Sequence, residues 1–158
     1  MTEADFSEKD VAEFRKGVLK RSLLKVELKP RTQGKGRVFM SIDRRENRNA
    51  LRCMLDRFGA RLGTISGVDY GDSLGVVYHI ILDRHGIVAN LKVTDLPRGS
   101  PEVDTVSDIV PGAAFMEMEV HDLFGIEFKG NPYKRKWIIS DDWPEGEYPL
   151  RKDYPQGG

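Results

Sequence analysis

The stretch FMEMEVHDLFGIEFKGNPYKRKWIISDDWPEGEYPLRKDYP, residues 115–155, decides how the rest of the chain is read. Its first part, Phe115 to Phe124, follows Pro111 and Gly112 and runs into Gly125, the punctuation of a short helix. At about 100° per residue, Met116, Val120, Leu123 and Phe124 share one side, with Glu119 and Asp122 together on the opposite one. The spacing therefore predicts a helix that buries an apolar flank and offers carboxylates on the other. From Lys129 onward neither the strand nor the helix period survives, and Pro132, Pro144, Pro149 and Pro155 each remove a backbone donor. Yet Tyr133, Trp137, Trp143, Tyr148 and Tyr154 are large apolar surfaces with polar handles, which disordered segments lack. Such a tail, able to reach on the order of 100 Å when extended, needs a surface to lie on, either its own body or a partner.

Working back toward the start, Leu74, Val76, Tyr78, Ile80 and Leu82 alternate with the apolar Val77 and Ile81, the pattern of a central strand. His79 lies on its second face and reads as a satisfied core or interface histidine. Asp83-Arg84-His85-Gly86 turns the chain into a partner strand, Ile87 to Val93. A strand over Arg61 to Ser66 precedes turn chemistry at Val68 to Asp72, and residues 95–112 read as a loop. Leu51, Met54, Leu55 and Phe58 fall at helical spacing between a start marked by Asp43 and Glu46 and a stop at Gly59. Leu24 to Leu28 and Arg37 to Ile42 pair as strands across a loop whose Gly34-Lys35-Gly36 lacks the spacing of a phosphate loop. Ser7 with Asp10 opens a first helix reaching about Arg21. The order predicts an α+β fold: a mixed sheet covered on one face by helices in two layers, with an extended C-terminal tail. The body spans residues 1–128 and the partner-wrapping tail residues 129–158.

The 158 residues carry 25 basic and 25 acidic side chains, so no global field draws in nucleic acid or an anionic surface. Cys53 is the only cysteine, which excludes an internal disulfide and leaves a chain-borne iron–sulfur cluster unexpected. It sits beside the apolar stripe of its helix and reads as a small filler. The N-terminus is acidic and polar rather than a signal peptide, and no apolar run approaches the roughly 20 residues of a spanning helix.

The residues with the most chemistry are Glu117, Glu119, His121 and Asp122. Their two pairs point to different sides, and a carboxylate-bridged metal site would need further Glu-x-x-His sets from other helices. No nucleophile elbow is present. Arg135, Arg151 and Lys152 follow these carboxylates closely, and an Arg151 fork on a carboxylate would anchor the tail bidentately. The expected anchor or partner-interface residues are Glu117, Glu119, Asp122, Arg135, Trp137, Trp143, Arg151, Lys152, Asp153 and Tyr154. The acidic interruption at Asp141, Asp142, Glu145 and Glu147 argues against a nucleic-acid groove.

The run Glu117-Met118-Glu119-Val120-His121-Asp122-Leu123-Phe124-Gly125-Ile126, then Phe128, Gly130 and Pro132, then Pro149-Leu150-Arg151-Lys152-Asp153-Tyr154, resembles the 30 kDa subunit family of respiratory complex I (NADH:quinone oxidoreductase) and related energy-converting membrane hydrogenases. Tyr78-His79, Thr105 to Ile109 and Pro111-Gly112-Ala113 are similar to it as well. The sequence departs at Phe115, Met118 and Asn131, where the family usually has Trp, Arg and His, so an ion pair at position 118 is not available here. The resemblance implies a non-catalytic peripheral subunit on the cytoplasmic face of the cell membrane, within an ion-translocating redox complex. It would carry no cofactor itself. Its partners would be a hydrogenase-like large subunit and a small iron–sulfur subunit, with the membrane arm contacted indirectly and iron–sulfur clusters, quinone or nickel–iron held by other chains. The alternatives are a membrane-bound hydrogenase in place of a quinone reductase, or a freestanding binding module whose tail wraps its own domain.

Overall fold

A computed structural model describes residues 8–17, 23–29 and 36–155. The expected helix boundaries at Ser7 and Arg21, and most of the loop holding Gly34 and Lys35, fall outside the described residues.

The element order is α1 (Glu8–Gly17), β1 (Leu23–Lys29), β2 (Gly36–Ile42), α2 (Asn47–Phe58), β3 (Arg61–Asp69), β4 (Ser73–Leu82), β5 (Ile87–Pro97), β6 (Glu102–Asp104), α3 (Ala113–Phe124) and β7 (Glu127–Lys129). Asp43 marks a helical start: its side chain caps a single 3₁₀ turn, Arg44–Glu46, that leads into α2. α3 begins two residues ahead of Phe115, and β5 runs on to Pro97. β3 likewise continues through Val68 and Asp69, so only Tyr70 to Asp72 is left to turn. Local turn propensity at Asp69 is overridden because the strand is already paired to β4, with Asp69 opposite Leu74.

The five-stranded sheet has the order β1-β2-β5-β4-β3. β1 with β2, β3 with β4, and β4 with β5 are antiparallel, and β2 runs parallel to β5, which makes the sheet mixed as the order of elements predicts. β4 lies centrally, and its alternation becomes register: Val76 faces Val93, Tyr78 faces Leu91 and Ile80 faces Ala89. These side chains are buried with Val38, Met40, Leu51, Met54 and Phe14 in one core. Burying a Leu-sized side chain contributes about 1.5–3 kcal/mol, so this layer supplies most of the driving force. The loop expected over residues 95–112 contains β6, which pairs in parallel with β7 as a second, two-stranded sheet. Three-residue strands carry too short a pattern to be read from periodicity.

Polar residues fix how the helices meet this sheet. The buried Asn47 side chain donates to the Tyr78 hydroxyl (3.0 Å) and to the Asp104 carbonyl (2.7 Å), tying the start of α2 to β4 and β6. Arg48 forks onto Asp108 through two 2.7 Å bonds. α3 packs on β3, and there Gly67 is obligatory by contact: a Cβ at that position would lie 2.4 Å from the Phe124 ring. Gly67→Ala is expected to lower unfolding stability by about 1–3 kcal/mol through overpacking, read from the urea midpoint. Truncating the clashing ring in the double variant with Phe124→Leu should give a smaller loss than the sum of the two single changes.

Candidate functional site

The site grows from two carboxylates of α3 that the helical wheel alone places wrongly. Glu117 and Asp122 are both buried, and of the acids expected on an open flank only Glu119 stays exposed. The reason is that the residues after β7 fold back over that flank and bring polar hydrogens to it, which makes burial of charge tolerable.

Glu117 accepts three hydrogen bonds, from Thr105 Oγ1 (2.6 Å), the Val106 backbone N–H (2.7 Å) and Asn131 Nδ2 (2.8 Å). Burial pushes its carboxyl pKa up, while these donors pull the other way. Asn131 Nδ2 also lies 3.1 Å from the Ala114 carbonyl, and Asn131 Oδ1 accepts from Tyr133 N–H at 2.9 Å. One side chain thus starts the turn out of β7. Asp122 Oδ2 accepts the backbone N–H groups of Trp137 (2.6 Å) and Ile138 (2.8 Å), holding the next bend of the tail. His121 Nδ1–H donates to the Ile126 carbonyl at 3.0 Å.

Further along, the tail meets the C-terminus of α3, where the last carbonyls of any helix lack intrahelical partners. The Leu150 N–H donates to the Leu123 carbonyl (3.1 Å), and Arg151 Nε donates to the Phe124 carbonyl (2.7 Å) with its guanidinium over the Tyr148 ring. Arg151 therefore anchors on a helix end, not on a carboxylate, since Glu117 and Asp122 already have their donors. Gly125, at φ 70°, permits the chain reversal and the contact at once, because a Cβ there would sit 2.4 Å from Tyr148. The tail ends in an ionic clasp. Asp69 accepts from Arg98 Nη1 (2.6 Å), from the Lys152 N–H and from the Gly71 N–H (both 2.8 Å), and Arg98 Nη2 meets Asp153 at 3.0 Å.

The remaining expected residues separate into two groups. Trp143 Nε1 donates to the Glu147 carbonyl at 2.9 Å and its ring stacks on Tyr154, a local hairpin-like closure that Lys136 Nζ completes through the carbonyls of Asp141 and Trp143. Trp137 instead joins Phe115 (centroids 4.8 Å apart), which also stacks on Tyr133 (5.4 Å), while the Arg135 guanidinium lies over the Trp137 ring at 5.8 Å. These aromatics stay open: Phe115 is 39% exposed, Tyr133 41%, Trp137 45% and the adjoining Ile138 47%. The structure thus makes Phe115 and Tyr133 part of the same patch, and makes Asn131, Thr105, Asp69 and Arg98 part of its support. Only the Asn131-Pro132 step hints at a turn at that point. Between the patch and α3 lies a cavity of about 370 Å³ lined by Met118, His121, Phe128, Ile139 and Tyr148 among others. No group of His, Cys, Asp and Glu suited to a metal occurs among the described residues. No helix among them is long and apolar enough to cross a membrane.

Residues 40–158 match the family described as respiratory-chain NADH dehydrogenase, 30 Kd subunit, and the chain belongs to that family. It is 45% identical over 98 residues to an NADH-quinone oxidoreductase subunit of Phocaeicola vulgatus, covering 60% of this chain and 18% of that protein. It is 34% identical over 132 residues to membrane-bound hydrogenase subunit beta of Pyrococcus furiosus, covering 81% of this chain and 76% of that one. Its fold is similar to a chain in the structure of the membrane-bound sulfane sulfur reductase, an archaeal respiratory membrane complex, with TM-score 0.75, 30% identity, and coverage of 94% and 85%. Against other curated relatives the chain spans 59% and 57% of their length.

Two outcomes check this site. Asp122→Ala should speed amide hydrogen exchange at Trp137 and Ile138 by roughly 10- to 100-fold, because hydrogen bonds to a charged acceptor contribute about 1.5–3 kcal/mol, while exchange in β4 stays unchanged. The Arg98 guanidinium beside Asp69, with the Lys152 and Gly71 N–H groups, holds that carboxyl well below the usual range. A depressed folded pKa gives stability that is present above the unfolded Asp value of about 3.9 and is lost as pH falls toward the folded value. Stability should therefore fall on acidification below about pH 4, and Asp69→Asn should flatten that slope in acid-titrated unfolding curves.

Proposed function

We propose that this chain is a non-catalytic, peripheral subunit of a membrane-bound, ion-translocating redox complex related to complex I, and that it holds other subunits together. The observation that carries the reading is the exposed aromatic patch of Phe115, Tyr133, Trp137 and Ile138. Contiguous apolar surface rimmed by polar groups marks protein contacts, and Trp, Tyr and Arg dominate the energetics of such contacts. The patch is also held in place before any partner arrives: Asp122 fixes the Trp137 and Ile138 backbone, and Asn131 fixes Tyr133. Side chains ordered in advance lose less entropy on binding.

The family supplies the partners in this reading. The chain docks on a hydrogenase-like large subunit beside a small iron–sulfur subunit, at the cytoplasmic face of the membrane, with the membrane arm contacted only through them. Redox cofactors belong to those other chains: iron–sulfur clusters, with quinone or a nickel–iron site according to the subfamily. Of the expected contact residues, Arg135 and Trp137 face the partner directly, and Glu119 lies on the same helix with its carboxylate exposed. Glu117, Asp122, Arg151, Lys152 and Asp153 act by holding the tail on the body, and Trp143 with Tyr154 close its outer loop. The tail after residue 129 works as an arm that reaches the partner from a place already set.

A membrane-bound hydrogenase-type assembly is the second reading. The Pyrococcus furiosus relative favours it, since that likeness extends over 81% of the chain, beyond the 60% covered by the quinone oxidoreductase relative.

Mild-detergent pull-down of the tagged chain from its native membranes, with mass-spectrometric identification of what is retained, tests the reading. Recovery of a hydrogenase-like large subunit is expected, and a nickel-ligating cysteine set in that subunit selects the hydrogenase assembly. Trp137→Ala combined with Tyr133→Ala should weaken recovery at least about tenfold, as hot-spot truncation costs about 2 kcal/mol or more, while leaving the unfolding midpoint of the isolated chain nearly unchanged. Recovery of the wild-type chain alone, in the soluble fraction, would overturn the proposal.

A further inference from the structure

A different constellation lies away from the aromatic patch, on the sheet face opposite the helix-covered core. Ser66 of β3, His79 of β4 and Asn90 of β5 form one row across three adjacent strands. Ser66 Oγ lies 2.9 Å from His79 Nε2, and His79 Nδ1 lies 2.7 Å from Asn90 Oδ1. Asn90 is buried, and its Nδ2 donates to the Val38 carbonyl at 3.2 Å.

This last bond settles the protons. A carbonyl only accepts, so the amide nitrogen of Asn90 must face Val38 and its oxygen must face the imidazole. Nδ1 of His79 then carries the hydrogen, Nε2 carries the lone pair, and the Ser66 hydroxyl donates to it. That is the arrangement of an activated hydroxyl: a nucleophile within reach of a base, and the base oriented by a third group. Unrelated folds build the same relation with Asn in the third place. Ser66 and His79 are only half-buried.

We propose that Ser66 is a nucleophile for activated acyl donors, with His79 as its base and Asn90 as the residue that positions the imidazole. In the step, Ser66 Oγ bonds to the carbonyl carbon of an activated ester while its proton passes to His79 Nε2. The bond from that carbon to the leaving oxygen breaks, the leaving group takes the proton from Nε2, and the acyl group remains on Ser66. β3 is an edge strand with a register shift between Leu62 and Thr64. Edge strands present N–H groups outside the ladder, the kind of donor that steadies a developing oxyanion.

The experiment uses the full chain and p-nitrophenyl acetate, following nitrophenolate release and mapping acetylation by mass spectrometry on the tryptic peptide between Arg61 and Arg84. Acetylation of the folded chain at Ser66 is expected, faster than in urea-unfolded chain by about 100-fold or more, the contribution of a positioned general base. Ser66→Ala should abolish it, whereas Ser73→Ala, in the same peptide, should leave it intact. His79→Gln should slow it about 100-fold. For the positioning role, Asn90→Leu should slow labelling and Asn90→Asp, which still accepts from Nδ1–H, should restore it. Labelling of the folded wild type no faster than that of the unfolded chain, or equally fast in folded His79→Gln, would overturn the proposal; the first comparison needs no variant to fold.

Discussion

A carboxylate inside a protein must be given hydrogen-bond donors or be neutralised, and the demand of Glu117 shapes the C-terminal half of this one. Its three donors come from three places in the chain: the hydroxyl of Thr105, the backbone of Val106 and the amide of Asn131. Meeting the demand brings the linker after β6, the helix α3 and the turn after β7 to a single point. Replacing any donor would leave a buried acceptor short, at a cost of about 1–3 kcal/mol, so these segments hold one another in register. Asp122 repeats the device further along the helix, where backbone N–H groups of Trp137 and Ile138 serve as its donors. A segment with no strand or helix of its own acquires a defined path because two buried acids require its polar hydrogens.

The consequence for function is rigidity where a surface is to be presented. The aromatic rings at Phe115, Tyr133 and Trp137 stack on one another and stand on backbone that the two carboxylates hold. At the far end, the Asp69 and Arg98 clasp returns the chain to the β3–β4 turn. The tail thus spans from one anchor to another across its own domain, and the patch lies between them. A partner docking on such a patch gains the apolar contact without ordering a loose segment, which is the larger of the usual costs for an extended arm.

The sheet is legible in the sequence because its signal is one of period. β4 alternates over its whole length, its neighbours do the same, and the mixed sheet follows from their order with the helices on one side. Strand ends are less legible: Asp69 carries the composition of a turn but pairs with Leu74. The carboxylates of α3 mislead for a deeper reason. A helical wheel sorts residues by polarity and assumes that charge faces water, yet Glu117 and Asp122 face a part of the chain that has no periodicity and so cannot appear on the wheel. Their identity as anchors comes from a likeness in pattern, and their donors are invisible in it because backbone N–H groups belong to every residue. His79 reads as satisfied, which it is, but the cross-strand partners that satisfy it, Ser66 and Asn90, depend on register.

The residues by which the chain resembles its family have, in this fold, mostly mechanical work. Glu117 and Asp122 hold the tail, Gly125 lets it reverse against Tyr148, and Arg151 closes the helix end on which it lands. The three departures from the pattern bear on the same region. Phe115 joins the exposed aromatic stack, and Asn131 is one of the three donors to Glu117. Met118, where a guanidinium would have supplied up to five donors, is buried and lines the cavity beneath the tail. Without that cation, Glu117 depends on neutral donors alone, and burial then raises its pKa. The site is thus tuned toward a neutral, hydrogen-bonded anchor, a form suited to holding a chain in place rather than to presenting charge to a partner.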